Sequence, residues 1–395
     1  MPDDKAIYST EGHLAYYLKH GLSPTHYDTR DLVAHLQRRE SLYRSLGLPP
    51  FAFRGARVLE VAAGTGQNSL YVAGCMPKAL TLLEPNPVAR DDIAAAFAQF
   101  GLPHTAPVVE ARLFQDFSPP DTYDVVICEN WLGHLPGDRA LIRKLGSLLA
   151  PGGVLVMTFM PMPGFVANII RKVMADLLVR DEADFARRGR ILAEAFSPHL
   201  ATIAGMTRSH ASWIDDCLLN PHFLNVVIPP HIVVEELGDE LDMLGTNPVF
   251  HSDWRWFKVL HGDDRRFNDA FLRSYLRNSH NFIDYRHTFP PRAPEDNQRI
   301  EAVAAAAHER ALRIEARLND GKSDFDADLR AFAEAVGNFA ASLDDIDAGL
   351  ARAFREARDA LLKPAPAPRD IAGLKAFAAI FGRETVYASL TRRKF

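Results

Sequence analysis

Hydrophobic and polar positions follow two regimes along this chain. Between about residues 55 and 160, short apolar runs predict strands over Arg57–Val61, Ala79–Leu83, Pro107–Glu110, Tyr123–Cys128 and Val154–Phe159. Amphipathic stretches predict helices over Gln67–Gly74, Pro87–Phe100 and Arg139–Leu149; Pro87 stands where a first turn tolerates proline, and "APGG" stops the last helix. Apolar strands alternating with helices predict an α/β doubly wound, mostly parallel sheet covered on both faces.

After Phe159 the rhythm changes. Phe165–Phe196 predicts a long helix broken at Ser197-Pro198, and Val233–Leu244 a further helix, whereas Val249–Leu260 (VFHSDWRWFKVL) alternates as a strand does. Glu295–Leu318 and Asp324–Leu362 flank "NDGKS" and predict a helical hairpin. "KPAPAP" is a stiff connector, and Glu384–Arg393 (ETVYASLTRR) reads as a strand that returns to the sheet, since a lone strand has no independent stability. Two amphipathic helices flank a Ser23-Pro24 turn near the start. The expected organisation is therefore an N-terminal helical cover over 1–50, a core over 51–160, a helical insertion over 161–230, a core helix and strand over 231–261, a second helical insertion over 262–383 and a terminal core strand over 384–395, the insertions together forming a lid.

Composition narrows the function. The 395 residues are 47% apolar and 24% charged, with a net charge of −5 and no basic block of the kind a nucleic-acid partner requires. No apolar run is long enough for a membrane span, and the acidic start MPDDKAIYSTEGH lacks a secretory leader, so a cytoplasmic protein with no membrane partner is expected. Three separated cysteines, Cys75, Cys128 and Cys217, fit neither a disulfide framework nor a zinc cluster, and no metal is expected.

Ligands of open parallel sheets bind at the carboxyl ends of the strands. Three acids fall there: Glu60 before the loop of β-strand one, Glu84 ending strand two and Glu129 ending strand four. The loop reads LEVAAGTGQNSLY, so Gly64-Thr65-Gly66 lacks the third glycine of a dinucleotide fingerprint, and Glu60 would repel a pyrophosphate. A cofactor carrying an ammonium and a sulfonium reverses that sign, and Glu84 is placed to accept from two ribose hydroxyls. Those features describe S-adenosyl-L-methionine.

With "VLEVAAGTG", "LLEPNP", "YDVVICENWLGHLP" and "LLAPGGVLVMTF" in this order, the chain resembles the class I S-adenosylmethionine-dependent methyltransferase family over about Phe51–Met160. The resemblance implies a Rossmann-like fold and cofactor contacts from Glu60, Ala62, Gly64, Gly66 and Glu84, with Ala62 standing where the family often has its first glycine. It also implies an acid near the adenine amine, for which Asp116 is the candidate and a backbone contact the alternative, while Phe114 either stacks on adenine or belongs to the core. Glu129 is expected at the cofactor and, with His134, at the reaction itself, because the family meets its acceptor after strand four. Trp131, His134, Tyr27, Trp213 and Asp216 are the candidate substrate contacts. Alternative structural roles stay open for Tyr17 and Arg30 in the N-terminal piece, and for His251, Asp253 and Arg255.

Methyl transfer needs alignment and exclusion of water more than it needs a fixed acid or base. Specificity therefore belongs to the parts outside the core, whose size favours an enclosed pocket and a small-molecule acceptor methylated at oxygen or nitrogen. The alternative is a protein or peptide methyltransferase that docks its partner on the helical C-terminal half; the helical hairpin is also the candidate face of a homodimer.

Overall fold

The computed structural model describes residues 12–132, 137–225, 227–320, 326–364 and 366–394. Seven strands form one sheet in the order β3-β2-β1-β4-β5-β7-β6. They are β1 (Arg57–Val61), β2 (Ala79–Leu83), β3 (Val108–Glu110), β4 (Tyr123–Cys128), β5 (Leu149–Phe159), β6 (Leu241–Asn247) and β7 (Val386–Arg392). The first five are parallel, and β7 runs antiparallel to both β5 and β6.

Strand alternation divides the side chains between the two faces. Val58 pairs with Leu80 and Val125, and Glu60 with Leu82 and Ile127, so Glu60 sits on the same face as these apolar residues. That face forms a core with Tyr43 from the helix Leu32–Ser45 and Leu46 just after it, Tyr71 and Val72 from Ser69–Gly74, and Ile93 from Pro87–Gln99. Glu129, two residues beyond Ile127, returns to this face.

The chain divides into two compact units. The first holds the sheet and comprises the described residues of Met1–Phe159, Ile228–Tyr275 and Thr385–Phe395; the second comprises Met160–Val227 and Leu276–Glu384. The second is helical, with Met162–Val179, Phe185–Leu200, Pro294–Asn319, Asp326–Ala341 and Ala348–Leu361 as its long members. Its core includes Phe165, Phe196, Phe332, Phe339, Phe354 and Phe377, all essentially inaccessible.

Several expected elements lie elsewhere. The helix expected over Val233–Leu244 stops at Leu237, and Leu241–Asn247 is a strand. Pairing with β7 overrides its helical composition, and Arg393 fastens it by donating to both oxygens of Asp242. Val249–Leu260 is no strand: the Asp253 carboxylate accepts from the Arg255 backbone N–H and guanidinium, which turns the chain, and Trp254 is left 95% exposed. The helix expected over Phe165–Phe196 breaks before Asp184, which caps Arg187 N, and Pro198 lies inside the following helix rather than ending it. The second arm of the hairpin likewise splits, because Asp347 caps a new helix through Leu350 N. Most of its "NDGKS" turn lies outside the described residues.

Candidate active site

The loop after β1 leaves the strand through a left-handed residue. Ala62 has φ 58°, and Gly64 and Gly66 follow at 56° and 69°. The methyl of Ala62 makes this position strained, at a cost of about 1–2 kcal/mol for a non-glycine residue. Gly66 is required for packing as well: a Cβ there would lie 2.8 Å from Ile93 Cγ1. Ala62→Gly is expected to raise the unfolding midpoint, since relief of that strain exceeds the roughly 0.4–1 kcal/mol lost to the freer unfolded chain. A lower midpoint in thermal melts would show that the methyl contributes packing that outweighs the strain.

Glu84 holds this loop. Its Oε2 accepts from Gly64 N at 2.8 Å and its Oε1 from Asn86 N at 2.9 Å. Burial pushes its carboxyl up to about 7, against the pull of those two backbone N–H groups. Glu60 is buried too, and burial, reinforced by the Glu129 carboxylate, pushes it up to about 7. Among the described residues, its Oε2 has no hydrogen-bond partner.

Opposite Glu60 on the same face stands a residue that sequence reasoning missed. Arg39 donates through Nη2 to both oxygens of Glu129, at 2.6 and 2.8 Å, and to the Tyr43 hydroxyl at 2.9 Å. Tyr43 in turn donates to Glu129 Oε1 at 3.0 Å. The helix Leu32–Ser45 turns His35, Arg39 and Tyr43 inward at four-residue spacing. That polar stripe was the available signal, but on an amphipathic helix it reads as the wet face. Arg39 Nε is buried and, among the described residues, has no hydrogen-bond partner.

The residues fit S-adenosylmethionine on an observation of their own. An unpartnered carboxylate oxygen (Glu60) and an unpartnered guanidinium N–H (Arg39) complement the ammonium and carboxylate of an amino-acid tail, and Glu84 supplies the acceptor for a ribose diol. When bound, this cofactor supplies a methyl group on a sulfonium leaving group. A cationic cofactor held by Glu60 and Glu84 would need both ionised, and burial raises each to about 7. Affinity so held would be full well above pH 7 and lost as pH falls through it, by up to about tenfold per pH unit for each carboxylate. Titrations of S-adenosylhomocysteine at pH 8 and pH 6 test this; equal affinities would contradict it.

The N-terminal segment lies across the loop. Tyr27 N donates to Gln67 Oε1 at 2.7 Å, and Gln67 Nε2 donates to Tyr27 O at 2.9 Å. Thr65 Oγ1 donates to Thr25 O, and Asn86 Nδ2 to Leu22 O. His35 Nε2 lies 3.0 Å from Gln67 O; a carbonyl only accepts, so this ring nitrogen carries the proton. Tyr27 thus meets the loop through its backbone, while Arg30 folds back onto Asp28 at the surface.

On the β3 side, Phe114–Asp116 forms a short 3-10 turn with Phe114 buried and Asp116 exposed. Trp131 packs edge-on to Phe114, ring centroids 5.7 Å apart, and Lys144 donates to Phe114 O. His134 lies outside the described residues. Trp213 and Asp216 belong to the helical unit, where Asp216 accepts from Arg208 at 2.7 Å and Trp213 packs edge-on to Phe381. His251 Nδ1 lies 2.8 Å from Ser274 Oγ, away from the strand ends.

Residues 33–163 match the family model of a methyltransferase domain. That stretch takes in β1 to β5 and the acid-bearing glycine loop, so this part of the chain is similar to the S-adenosylmethionine-dependent methyltransferases. Solved structures show partial likeness. The N-methyltransferase NodS from Bradyrhizobium japonicum WM9, in complex with S-adenosyl-L-homocysteine, is 17% identical, with 53% of this chain and 76% of that one covered and a TM-score of 0.31. PKMT2 from Rickettsia typhi is 15% identical, covering 60% and 49%, at a TM-score of 0.37. An S-adenosylmethionine-dependent methyltransferase from Mesorhizobium loti is 20% identical, covering 30% and 52%, at 0.26. The chain thus spans about half the length of the last two. Among the described residues, no helix is long and apolar enough to cross a membrane.

Proposed function

We propose that the chain transfers a methyl group from S-adenosylmethionine to a small molecule, at oxygen or nitrogen. The observation that carries this reading is the strap formed by Leu22–Tyr27, bonded to Thr65, Gln67 and Asn86 across the cofactor loop. A strap so fastened narrows access to the strand ends, which suits a small acceptor better than a protein chain. In this reading Glu60 and Arg39 hold the two ends of the amino-acid tail, Glu84 the ribose, and Phe114 with Trp131 the adenine side. Glu129, whose oxygens are engaged by Arg39 and Tyr43, fixes Arg39 rather than moving a proton. Rate comes from alignment of the acceptor's lone pair and exclusion of water.

The test is label transfer from methyl-labelled cofactor to a panel of small acids, amines and phenols, run beside whole-lysate protein. Label in the small-molecule fraction is expected. Label confined to protein bands would contradict the small-molecule reading and favour a protein substrate.

A further inference from the structure

The loop that follows β6 carries its apolar side chains outward. Trp254, Trp256, Phe257 and Val259 lie close together in sequence and are 95%, 65%, 76% and 53% exposed. The loop is nonetheless fixed by its own bonds. The Asp253 carboxylate accepts from Arg255 N at 3.0 Å and from Arg255 Nε at 2.9 Å, and Arg255 Nη1 donates to Asp264 O at 2.9 Å. Phe257–Val259 is a 3-10 turn, with Val259 N donating to Trp256 O and Leu260 N to Phe257 O. The Arg255 guanidinium carbon also lies 5.4 Å from the centroid of the Phe267 ring, which fastens the loop to the helix Phe267–Asn278. A loop whose backbone is satisfied in this way has no local need to turn three aromatic rings to water.

We propose that this aromatic loop is the interface between two copies of the chain related by a twofold axis. Area supports that occupant. An aromatic side chain offers about 150–250 Å², so the observed exposures leave roughly 500 Å² of ring surface open on one copy. Two copies, with Val259 included, would bury roughly 1,000–1,200 Å², the size at which specific interfaces begin. Charge supports it as well. Among the charged residues of 248–266, Asp253 is paired with Arg255, and Arg265 with Asp242. Lys258 and Arg266 are exposed in the same loop as exposed Asp263 and Asp264, so both signs are present in equal number. In a twofold contact a residue of one copy meets a different residue of the other, and the reverse, so a single patch must carry both signs. A nucleic acid or an anionic bilayer would select cations alone. Lys258 Nζ lies 5.5 Å from the centroid of the Trp256 ring, which sets a charge at the rim of the aromatic centre. The preformed turn also lowers the ordering that association costs. The helical hairpin offers less, because among the described residues of 294–362 only Leu362 is a large exposed apolar side chain.

Sedimentation velocity of the full chain tests this. The wild type is expected to pass from monomer to dimer as its concentration rises from about 1 to about 200 μM. Trp254→Ser combined with Trp256→Ser and Phe257→Ser should raise the dimer dissociation constant at least about thirtyfold. Because these side chains face water in the single chain, that variant should keep the wild-type thermal midpoint at about 1 μM, where both are monomers. Lys258→Glu should weaken the dimer by about threefold, and adding Asp263→Lys and Asp264→Lys to it should restore the dimer, since the exchanged signs complement each other again. Should the aromatic variant fail to fold, this charge exchange decides: a dimer indifferent to Lys258→Glu, or one that the added lysines do not restore, overturns the proposal. So does a dimer that the folded aromatic variant leaves intact, and so does a chain that stays monomeric throughout. If that monomer sediments with phosphatidylcholine vesicles through the same side chains, the occupant is a bilayer and not a second copy.

Discussion

Glu84→Ala is expected to lower affinity for S-adenosylhomocysteine by about 1.5–3 kcal/mol, the worth of hydrogen bonds to a charged acceptor, or roughly ten- to hundredfold. Two losses combine. The ribose hydroxyls lose their carboxylate, and Gly64 N and Asn86 N lose theirs, so the loop that Glu84 holds at 2.8 Å is released. Glu84→Gln separates these losses only in part, because an amide NH2 must then face a backbone N–H. Calorimetry at pH 8, where the wild-type carboxylate is ionised, gives the cleanest comparison. An unchanged affinity would mean that the end of β2 does not meet the cofactor.

Arg171→Met should destabilise the helical unit by about 3–5 kcal/mol, as expected when a buried charge leaves its partners uncompensated. Arg171 is wholly inaccessible. Its Nη2 donates to Ile380 O at 2.7 Å and to Phe377 O and Ala378 O at 3.3 Å, and its guanidinium carbon lies 3.8 Å from the centroid of the Phe381 ring. It ties the segment before β7 to the helix Met162–Val179. His199 completes the arrangement. Its Nε2 faces Ile371 O at 2.9 Å and so carries the proton, leaving Nδ1 to accept from Arg171 Nε. Burial, with the guanidinium beside it, holds the imidazole down to about 4. Methionine keeps the volume but removes the donor to Ile380 O and leaves Phe377 O to Ile380 N and Ala378 O to Thr202 Oγ1 alone, which differential scanning calorimetry should read as a fall of roughly 6–20 °C in the midpoint. A midpoint within a degree of wild type would contradict this role.

The sheet was legible wherever burial alone dictated the sequence. Parallel strands covered on both faces are apolar runs, and Arg57–Val61, Ala79–Leu83 and Tyr123–Cys128 were expected within the bounds they have. Leu241–Asn247 was not, because an outer strand containing Asp242, Gly245 and Asn247 lacks that signature and owes its form to β7. The acids at the strand ends were readable from position, as Glu60, Glu84 and Glu129 each follow an apolar run. Arg39 and Tyr43 were hidden by a helix whose polar stripe faces inward.

The strand ends around Glu60, Glu84 and Arg39 are expected to hold S-adenosylmethionine and not a dinucleotide. Calorimetric titration of the purified chain with S-adenosylhomocysteine and with NAD tests it most directly. Saturable binding of S-adenosylhomocysteine with no response to NAD is the predicted result. Saturable binding of NAD with no response to S-adenosylhomocysteine would contradict it.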